Sequence, residues 1–215
     1  MMRVVLIDDH ELVRTGFRMI LGQQPDIEIV GEASDGERGL ALLRTLAPDV
    51  ALVDVHMPGI SGIEVTERAR KLKLPTRIVI VSMVSEAPFP KRLLEAGASG
   101  YLTKGCAAAE LLRAVRQIAD GRRYIAPEIA EVMALATLGG HPASPFELLS
   151  SRELEVALLL ARGLAMPVIA ARLNLSAKTV ATYKYRLFEK LAIDNSVTLA
   201  HLAQVHGLLD GPPTR

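Results

Sequence analysis

Three aspartates stand where two apolar runs of the sequence end. Asp8 ends the run 3–8 and Asp9 follows it, while Asp54 ends the run 50–54. Apolar runs of this length, bounded by turn residues, are typical of parallel strands that are buried on both faces. A charged group at the end of such a strand loses hydration free energy unless a partner compensates it. Because three neighbouring carboxylates repel one another, we interpret them as ligands of a divalent cation, with Asp54 as a nucleophile.

Mg²⁺ is the cation that we expect at this site. It takes oxygen ligands in near-octahedral geometry and keeps several waters, so a few protein carboxylates suffice. Asp9 and Asp54 can bind it directly together with the backbone carbonyl of His56, and Asp8 can be oriented through water. The cation would let a phosphoryl donor approach the acidic cluster and would offset charge while Asp54 becomes an acyl phosphate.

Two further polar residues follow later strands. Ser82 ends the apolar run 77–82 with a hydroxyl group, and Lys104 follows the run 99–103 with an ammonium group. A phosphoryl group on Asp54 would need such hydrogen-bond donors around its oxygens. We therefore add both residues to the candidate site.

The elements that must position these residues form a regular alternation. Five predicted strands alternate with helices in the first 121 residues, which favours an α/β flavodoxin-like domain with a parallel five-stranded sheet. For the strand order 2-1-3-4-5, ligands bind where strands 1 and 3 end, and the aspartates lie there. The predicted strands are 3–8, 27–33, 50–54, 77–82 and 99–103. In the first helix we expect Asp9 as the N-cap and Leu12, Val13, Phe17, Ile20 and Leu21 on the buried side.

The second half of the chain predicts a small all-α domain. Residues 122–148 are expected to be a linker with a helix over 127–138, because Gly, Pro and Ser dominate 139–147. Helical periodicity then continues to the end, with Ser176 as an N-cap. The four predicted helices are 151–162, 167–173, 177–191 and 195–206. Two helices joined by a short turn can place the second one in the major groove of DNA.

The predicted helix 177–191 has one apolar and one polar face. With Val180 as the inward reference, Leu187 and Leu191 fall on the same side at about 100° per residue. The candidate DNA-binding residues are Lys178, Thr179, Thr182, Tyr185, Arg186 and Lys184, the last reaching a phosphate by extending its stem. In the final helix we expect Val197, Ala200 and either Leu199 or Leu202 in the core.

Composition is consistent with these predictions. The net charge is +1, but residues 1–120 carry 15 Lys and Arg against 16 Asp and Glu, and residues 150–208 carry 7 against 4. This basic excess suits a polyanion only weakly. Cys106 is the single cysteine, so no internal disulfide can form, and no apolar run is long enough to cross a membrane. We expect a cytoplasmic protein.

The first half resembles the receiver domain of two-component response regulators over about residues 3–121. The residues that carry the resemblance are Asp8, Asp9, Asp54, Ser82, Tyr101 and Lys104. The resemblance implies that Asp54 accepts phosphate from a histidine kinase and that Ser82 and Tyr101 form a switch pair. Receivers usually have proline after the lysine, whereas this sequence has Gly105.

The second half resembles the LuxR-type helix-turn-helix of the NarL/FixJ response regulators. The resemblance rests on SRELEV, NLSAKTV and EKL, which occur in this order within 149–191. It implies sequence-specific DNA binding and a homodimer contact through the last helix. Where members usually open the first helix of the motif with a polar pair, this chain has Met166-Pro167.

Segments throughout the chain narrow the resemblance to the GacA/UvrY group of global regulators. They include GRRYIAPEIAEVMAL in the connector and TYKYRLFEKL near the end. This group implies a sensor kinase of the GacS/BarA type and control of small regulatory RNA genes. The predicted domains are a receiver over 1–121, a linker over 122–148 and a DNA-binding domain over 149–208.

Three alternatives remain open from the sequence. One is a regulator that works without phosphorylation. Another is a phosphatase with an aspartyl intermediate, which we would expect to carry its nucleophile on the first strand with a second acid two residues later, unlike Asp8-Asp9. A flavin-binding module is disfavoured because no phosphate-binding loop follows the first strand.

Overall fold

The computed structural model describes residues 1–55, 57, 59–82, 89–138, 144–173, 175–206 and 208–209. These residues form two compact units. The first unit begins at Met1 and continues to Ala134, and the second begins at Leu135. Within the described residues, no helix is both long and apolar enough to cross a membrane.

A parallel sheet forms the centre of the first unit. Its strands are β1 (Met2–Ile7), β2 (Ile27–Ala33), β3 (Val50–Asp54), β4 (Arg77–Ser82), β5 (Gly100–Thr103) and β6 (Tyr124–Ile125), in the order β2-β1-β3-β4-β5-β6. Every residue of β3 is buried, as expected for a strand covered on both faces. The α/β class predicted from the sequence is confirmed.

The described residues before Ser144 form six helices: α1 (Glu11–Gly22), α2 (Gly36–Leu46), α3 (Gly62–Lys71), α4 (Phe89–Ala96), α5 (Ala108–Ala119) and α6 (Pro127–Leu138). Short polar side chains begin two of them. Asp35 accepts a hydrogen bond from the Arg38 N–H at 2.8 Å, and Ser61 accepts one from the Glu64 N–H at 3.3 Å. Each satisfies an N–H group that the first turn of a helix leaves without a partner.

Among the described residues the sheet has six strands, so the prediction of five was wrong in number. Gly121, at a φ of 84°, turns the chain after α5. The Tyr124 N–H then donates to the Ser99 carbonyl at 3.2 Å, and the Ala126 N–H donates to the Tyr101 carbonyl at 3.0 Å. A two-residue strand is too short to show a periodicity, and only its pairing with β5 creates it.

The start of α1 also differs from the prediction. His10, and not Asp9, is the N-cap, and its side chain makes no capping hydrogen bond. Phe17 is buried, but Leu12 is 84% exposed. Leu12 precedes Phe17 by five residues, which places it about 140° away around the helix. The prediction for the buried side of α1 was therefore wrong in including Leu12.

The second unit contains the four predicted helices after a short 3-10 turn at Pro145–Leu148. They are α7 (Ser151–Ala161), α8 (Met166–Arg172), α9 (Ala177–Leu191) and α10 (Ser196–Val205). Ser176 is the N-cap of α9, as predicted, and accepts a hydrogen bond from the Thr179 N–H at 3.0 Å. Pro167 lies in the first turn of α8, where its missing N–H leaves no helical hydrogen bond unmade.

The apolar face of α10 was predicted partly wrongly. Leu199 is buried, Leu202 and Ala200 are half-buried, and Val197 is 80% exposed. Val197 lies two residues before Leu199, about 200° around the helix, so both cannot face one core. Ala203, four residues after Leu199, is buried in its place.

Candidate phosphoacceptor site and nucleic-acid interface

The pairing of β1 with β3 brings the aspartates together. Ile7 lies opposite Val53 in the parallel register, so Asp8 and Asp54 reach the same edge of the sheet. Each is only 3% exposed. The Asp8 N–H donates to the Ala33 carbonyl at 3.1 Å, which fixes the main chain beyond the end of β1. Two carboxylates are therefore buried next to each other, as the strand order predicted.

Lys104 extends into the same place from the end of β5. Its Nζ lies 2.8 Å from Asp8 Oδ2 and 3.0 Å from Asp54 Oδ2, and its side chain is 7% exposed. The Lys104 N–H donates to the Ser82 carbonyl at 2.9 Å, so the main chain is tied to β4. Among the described groups, this ammonium is the cation that directly contacts both buried carboxylates.

The electrostatics of the three groups are coupled. Burial raises the pKa of Asp54 to about 6; the charge of Asp8 adds to this rise, and Lys104 opposes it. Burial lowers the pKa of Lys104, but the carboxylates of Asp54 and Asp8 raise it more, so that it lies above its ordinary value. The site therefore holds a charged ammonium beside a nucleophile that gains little from ionising without further positive charge.

The donor set fits a divalent cation. Asp8 Oδ2 and Asp54 Oδ2 are buried, and both contact the same cation, the Lys104 ammonium, at 2.8 and 3.0 Å. Carboxylate oxygens of Asp8, Asp9 and Asp54 gather within 4.8 Å of one another together with a nitrogen of His10. Carboxylate oxygens are the ligands that Mg²⁺ prefers. His56, whose carbonyl was predicted as a ligand, lies outside the described residues.

The sequence did not single out His10, although it touches the cluster. Its Nδ1 lies 2.8 Å from Asp9 Oδ1, and its N–H donates to Asp8 Oδ1 at 2.8 Å. Arg14 donates from Nη1 to the Asp8 carbonyl at 2.6 Å. The only available signal was adjacency to the aspartate pair, because single histidines without a second ligand at a regular spacing are common in loops.

The structure places Ser82 and Tyr101 differently with respect to this site. Ser82 is the last residue of β4, fully buried and next in the strand to Val81, which pairs with Asp54. Tyr101 lies in the middle of β5 opposite Ile80 and is also fully buried. Ser82 therefore lies at the edge of the sheet that holds the aspartates, and Tyr101 lies two residues before the end of its strand.

Glycine 62 determines the course of the chain after Asp54. The Gly62 N–H donates to the Val55 carbonyl at 3.0 Å. A Cβ atom at this position would overlap the Asp54 carbonyl oxygen. By contrast, a Cβ atom at Gly105, which follows Lys104, would meet nothing within 4 Å. The close approach at Gly62 therefore holds the backbone of the candidate phosphoacceptor, while Gly105 is not required by sterics.

In the second unit, α9 presents the predicted polar face. Val180, Leu187 and Leu191 are buried, whereas Lys178, Thr182, Tyr185 and Arg186 are exposed. Thr179 is half-buried, and its Oγ1 lies 2.7 Å from Ser176 Oγ in the cap. Lys184 is also half-buried, with Nζ 5.2 Å from the centre of the Phe188 ring. The candidates thus divide into four exposed side chains and two that are partly engaged within the helix.

Two ion pairs that the sequence analysis missed involve acidic residues of α7, and one of them joins α7 to α9. Lys190 Nζ lies 2.6 Å from Glu153 Oε2, which also accepts the Ser150 N–H at 2.7 Å. Burial would raise the pKa of Glu153, but hydrogen bonds from Lys190 and Ser150 outweigh it and leave the pKa below its ordinary value. Arg152 pairs with the buried Glu155 at 2.8 Å and donates to the Leu173 carbonyl at 2.9 Å. The SRELEV motif therefore connects α7 to both helices of the turn.

Comparison with known proteins agrees with both halves of this structure. Residues 4–116 match the response regulator receiver domain, and residues 147–203 match the bacterial regulatory proteins of the luxR family. The chain is 46% identical to the response regulator GacA of Pseudomonas viridiflava, over 98% of this chain and 99% of that protein. It is 46% identical to the response regulator UvrY of Escherichia coli K12, over 97% and 96% of the two chains.

A solved structure extends the likeness to a DNA complex. The response regulator RcsB of Salmonella enterica serovar Typhimurium, bound to a promoter in the presence of a phosphomimetic beryllofluoride, is 26% identical with a TM-score of 0.68. The match covers 95% of this chain and 98% of that one. Together with the two domain matches and the aspartate–lysine site, these relatives establish the class of protein. The chain belongs to the response regulators that join a receiver domain to a LuxR-type DNA-binding domain, close to the GacA and UvrY regulators.

Proposed function

We propose that Asp54 accepts a phosphoryl group from a sensor histidine kinase and that this reaction controls DNA binding. The observation that carries the proposal is the buried contact of Lys104 with both Asp8 and Asp54. An ammonium at this position stabilises negative charge on a phosphoryl group arriving at Asp54. In the same site, Asp8, Asp9, Asp54 and the carbonyl of His56 would hold Mg²⁺, which supplies positive charge to the incoming phosphate.

We propose that Ser82 and Tyr101 transmit the phosphorylation of Asp54 to the neighbouring strands. Ser82 ends the strand beside Asp54 with a hydroxyl that can donate to a phosphate oxygen. Tyr101 is fully buried within β5, one strand further away. A shift of Ser82 toward a phosphoryl group would change the packing between β4 and β5 and so favour one of two arrangements of this edge of the sheet.

The test is phosphorylation of the whole chain by acetyl phosphate and Mg²⁺, read by phosphate-affinity electrophoresis. Asp54→Asn should abolish labelling, and Lys104→Met should reduce it strongly, because the neutral side chain cannot stabilise the transferred charge. Asp120→Asn is the matched control, since Asp120 is exposed and pairs only with Arg122 at 3.2 Å among the contacts described. Equal labelling of wild type and Asp54→Asn would reject the assignment.

For DNA, we propose that α9 enters the major groove. Lys178, Thr182, Tyr185 and Arg186 are exposed on one face, and Thr179 and Lys184 stand at its edges. Arg186→Ala should weaken binding to a promoter fragment and reduce the salt slope by about 0.9 if its guanidinium contacts one phosphate. Lys71→Ala, in the receiver unit, is the control and should leave the slope unchanged. An unchanged slope for Arg186→Ala together with Lys178→Ala would exclude this face.

Dimerisation, targets and location complete the proposal. RcsB is described as forming dimers on DNA, and we propose the same for this chain when it is phosphorylated or bound to DNA. Sedimentation with and without beryllofluoride and Mg²⁺ tests this: an unchanged mass at all concentrations would contradict it.

The likeness to GacA and UvrY supports action as a global regulator through small regulatory RNA genes, which transcript profiling of an Asp54→Asn strain would test. A kinase and DNA as partners are consistent with a cytoplasmic protein.

A further inference from the structure

His10 is the member of the acidic cluster to which the receiver chemistry gives no role. Its Nδ1 lies 2.8 Å from Asp9 Oδ1 and 3.2 Å from Asp8 Oδ1. The imidazole is 56% exposed, so it has room to extend into solvent. It lies against the carboxylates instead. The hydrogen bond from its own N–H to Asp8 Oδ1, at 2.8 Å, fixes the main chain that places it there.

The cluster around this nitrogen is short of positive charge. Four groups, from Asp8, Asp9, His10 and Asp54, can each offer one donor atom within 4.8 Å of the others. The side chains of Asp8 and Asp54 are 95% and 97% buried, and their Oδ2 atoms both contact the single ammonium of Lys104. Lys104 Nζ also lies 3.4 Å from His10 Nδ1, so the same ammonium is close to Asp8, Asp54 and His10. The arrangement therefore favours a further cation beside an imidazole nitrogen.

We propose that His10 Nδ1 is a ligand of the cation site and gives this receiver a high affinity for divalent transition metals such as Ni²⁺ and Co²⁺. This inference rests on the proposed cation site at Asp8, Asp9 and Asp54. Mg²⁺ favours oxygen ligands, whereas an imidazole suits Co²⁺, Ni²⁺ and Zn²⁺. On metal binding the imidazole proton would lie on Nε2, and Nδ1 would exchange its contact with Asp9 Oδ1 for the cation. The added nitrogen ligand changes the preference between metals without adding another negative charge. The ligand class is a borderline divalent cation that competes with Mg²⁺ at Asp54.

The experiment is calorimetric titration of the full chain with Ni²⁺ and, separately, with Mg²⁺. His10→Ala should weaken Ni²⁺ binding at least tenfold and change Mg²⁺ binding less than about threefold. The reason is that an imidazole nitrogen is a preferred ligand of Ni²⁺ and not of Mg²⁺. His201→Ala is the matched control, since His201 is exposed on α10 in the other unit, and it should change neither. The visible absorption of bound Co²⁺ should shift in His10→Ala, which reports loss of nitrogen ligation directly.

The outcomes separate this inference from the proposed function. Unchanged Ni²⁺ affinity in His10→Ala, equal losses for both metals, or Ni²⁺ binding that survives Asp54→Asn would each overturn the role of His10 as a ligand. In each of those cases, Mg²⁺-dependent labelling of Asp54 by acetyl phosphate would still support the phosphoacceptor assignment. Failure of Mg²⁺ binding and of labelling in the wild-type chain would instead reject the proposed function, and this inference with it.

Discussion

Replacing Asp54 by Asn should stabilise the receiver unit, and the gain should depend on pH. The pKa of Asp54 is raised from 3.8 to about 6, first by burial and then by the charge of Asp8. Well below pH 3.8, the carboxyl group is protonated in both the folded and the unfolded chain, so its ionisation contributes nothing to the free energy of unfolding. Asn has nearly the same shape as the protonated acid, and the two proteins should then be about equally stable.

Between about pH 4 and pH 6, the unfolded chain releases this proton first. Ionisation therefore favours the unfolded chain, and the stability associated with the neutral carboxyl group is lost as pH rises through the folded-state pKa. A pKa raised from 3.8 to about 6 corresponds to roughly 3 kcal/mol, at about 1.4 kcal/mol for each factor of ten in the ionisation constant. At pH 7 Asp54→Asn should thus be more stable than wild type by up to about 3 kcal/mol.

Urea unfolding of the receiver unit at pH 3.5, 5 and 7, in EDTA, measures the difference. When Mg²⁺ replaces the EDTA, the stability advantage of Asp54→Asn should become smaller. Mg²⁺ binds the ionised site of the wild type and has one carboxylate fewer to bind in the variant. Asp120→Asn, at an exposed carboxylate, should show no gain that grows with pH. If Asp54→Asn is no more stable than wild type at pH 7, or if its advantage is largest at pH 3.5, the electrostatic account of the site is wrong.

Three other predictions concern single contacts. Lys104→Met should destabilise the receiver at pH 7 by about 3–5 kcal/mol by leaving two buried carboxylates without their cation, and by less at pH 4; urea unfolding at both pH values tests this, and an equal loss at both would contradict it. Gly62→Ala should cost at least about 1–3 kcal/mol and reduce labelling of Asp54, because its Cβ overlaps the Asp54 carbonyl; Gly105→Ala, with open space around it, is the control and should be neutral or stabilising by up to about 1 kcal/mol. Lys190→Met should lower the free energy of unfolding of the second unit by only about 1 kcal/mol in thermal unfolding, because the side chain of Lys190 is 41% exposed. A double-mutant cycle with Glu153→Gln should give most of that loss as coupling energy. Zero coupling would show that the ion pair does not hold α9.

The sequence alone determined the strands that carry the acidic site. The apolar runs before Asp8 and Asp54 are long and unbroken, and a polar residue ends each one, so the pattern is local and can be read without the fold. The same is true of α9, where helical periodicity separates Val180, Leu187 and Leu191 from the polar face. Caps such as Ser176 are equally local, because the residue and the N–H that it accepts are three positions apart.

Tertiary structure decided whatever depends on which elements meet. The strand β6 exists because Tyr124 pairs with Gly100, and a segment of two residues has no periodicity that could predict this pairing. Leu12 and Val197 are apolar and helical, yet both are exposed, because an apolar residue is buried only where another element covers its side of the helix. The Glu153–Lys190 pair joins residues 37 positions apart. Only the fold could place His10 against Asp9, since the orientation of one imidazole depends on the course of the loop and not on the residue types around it.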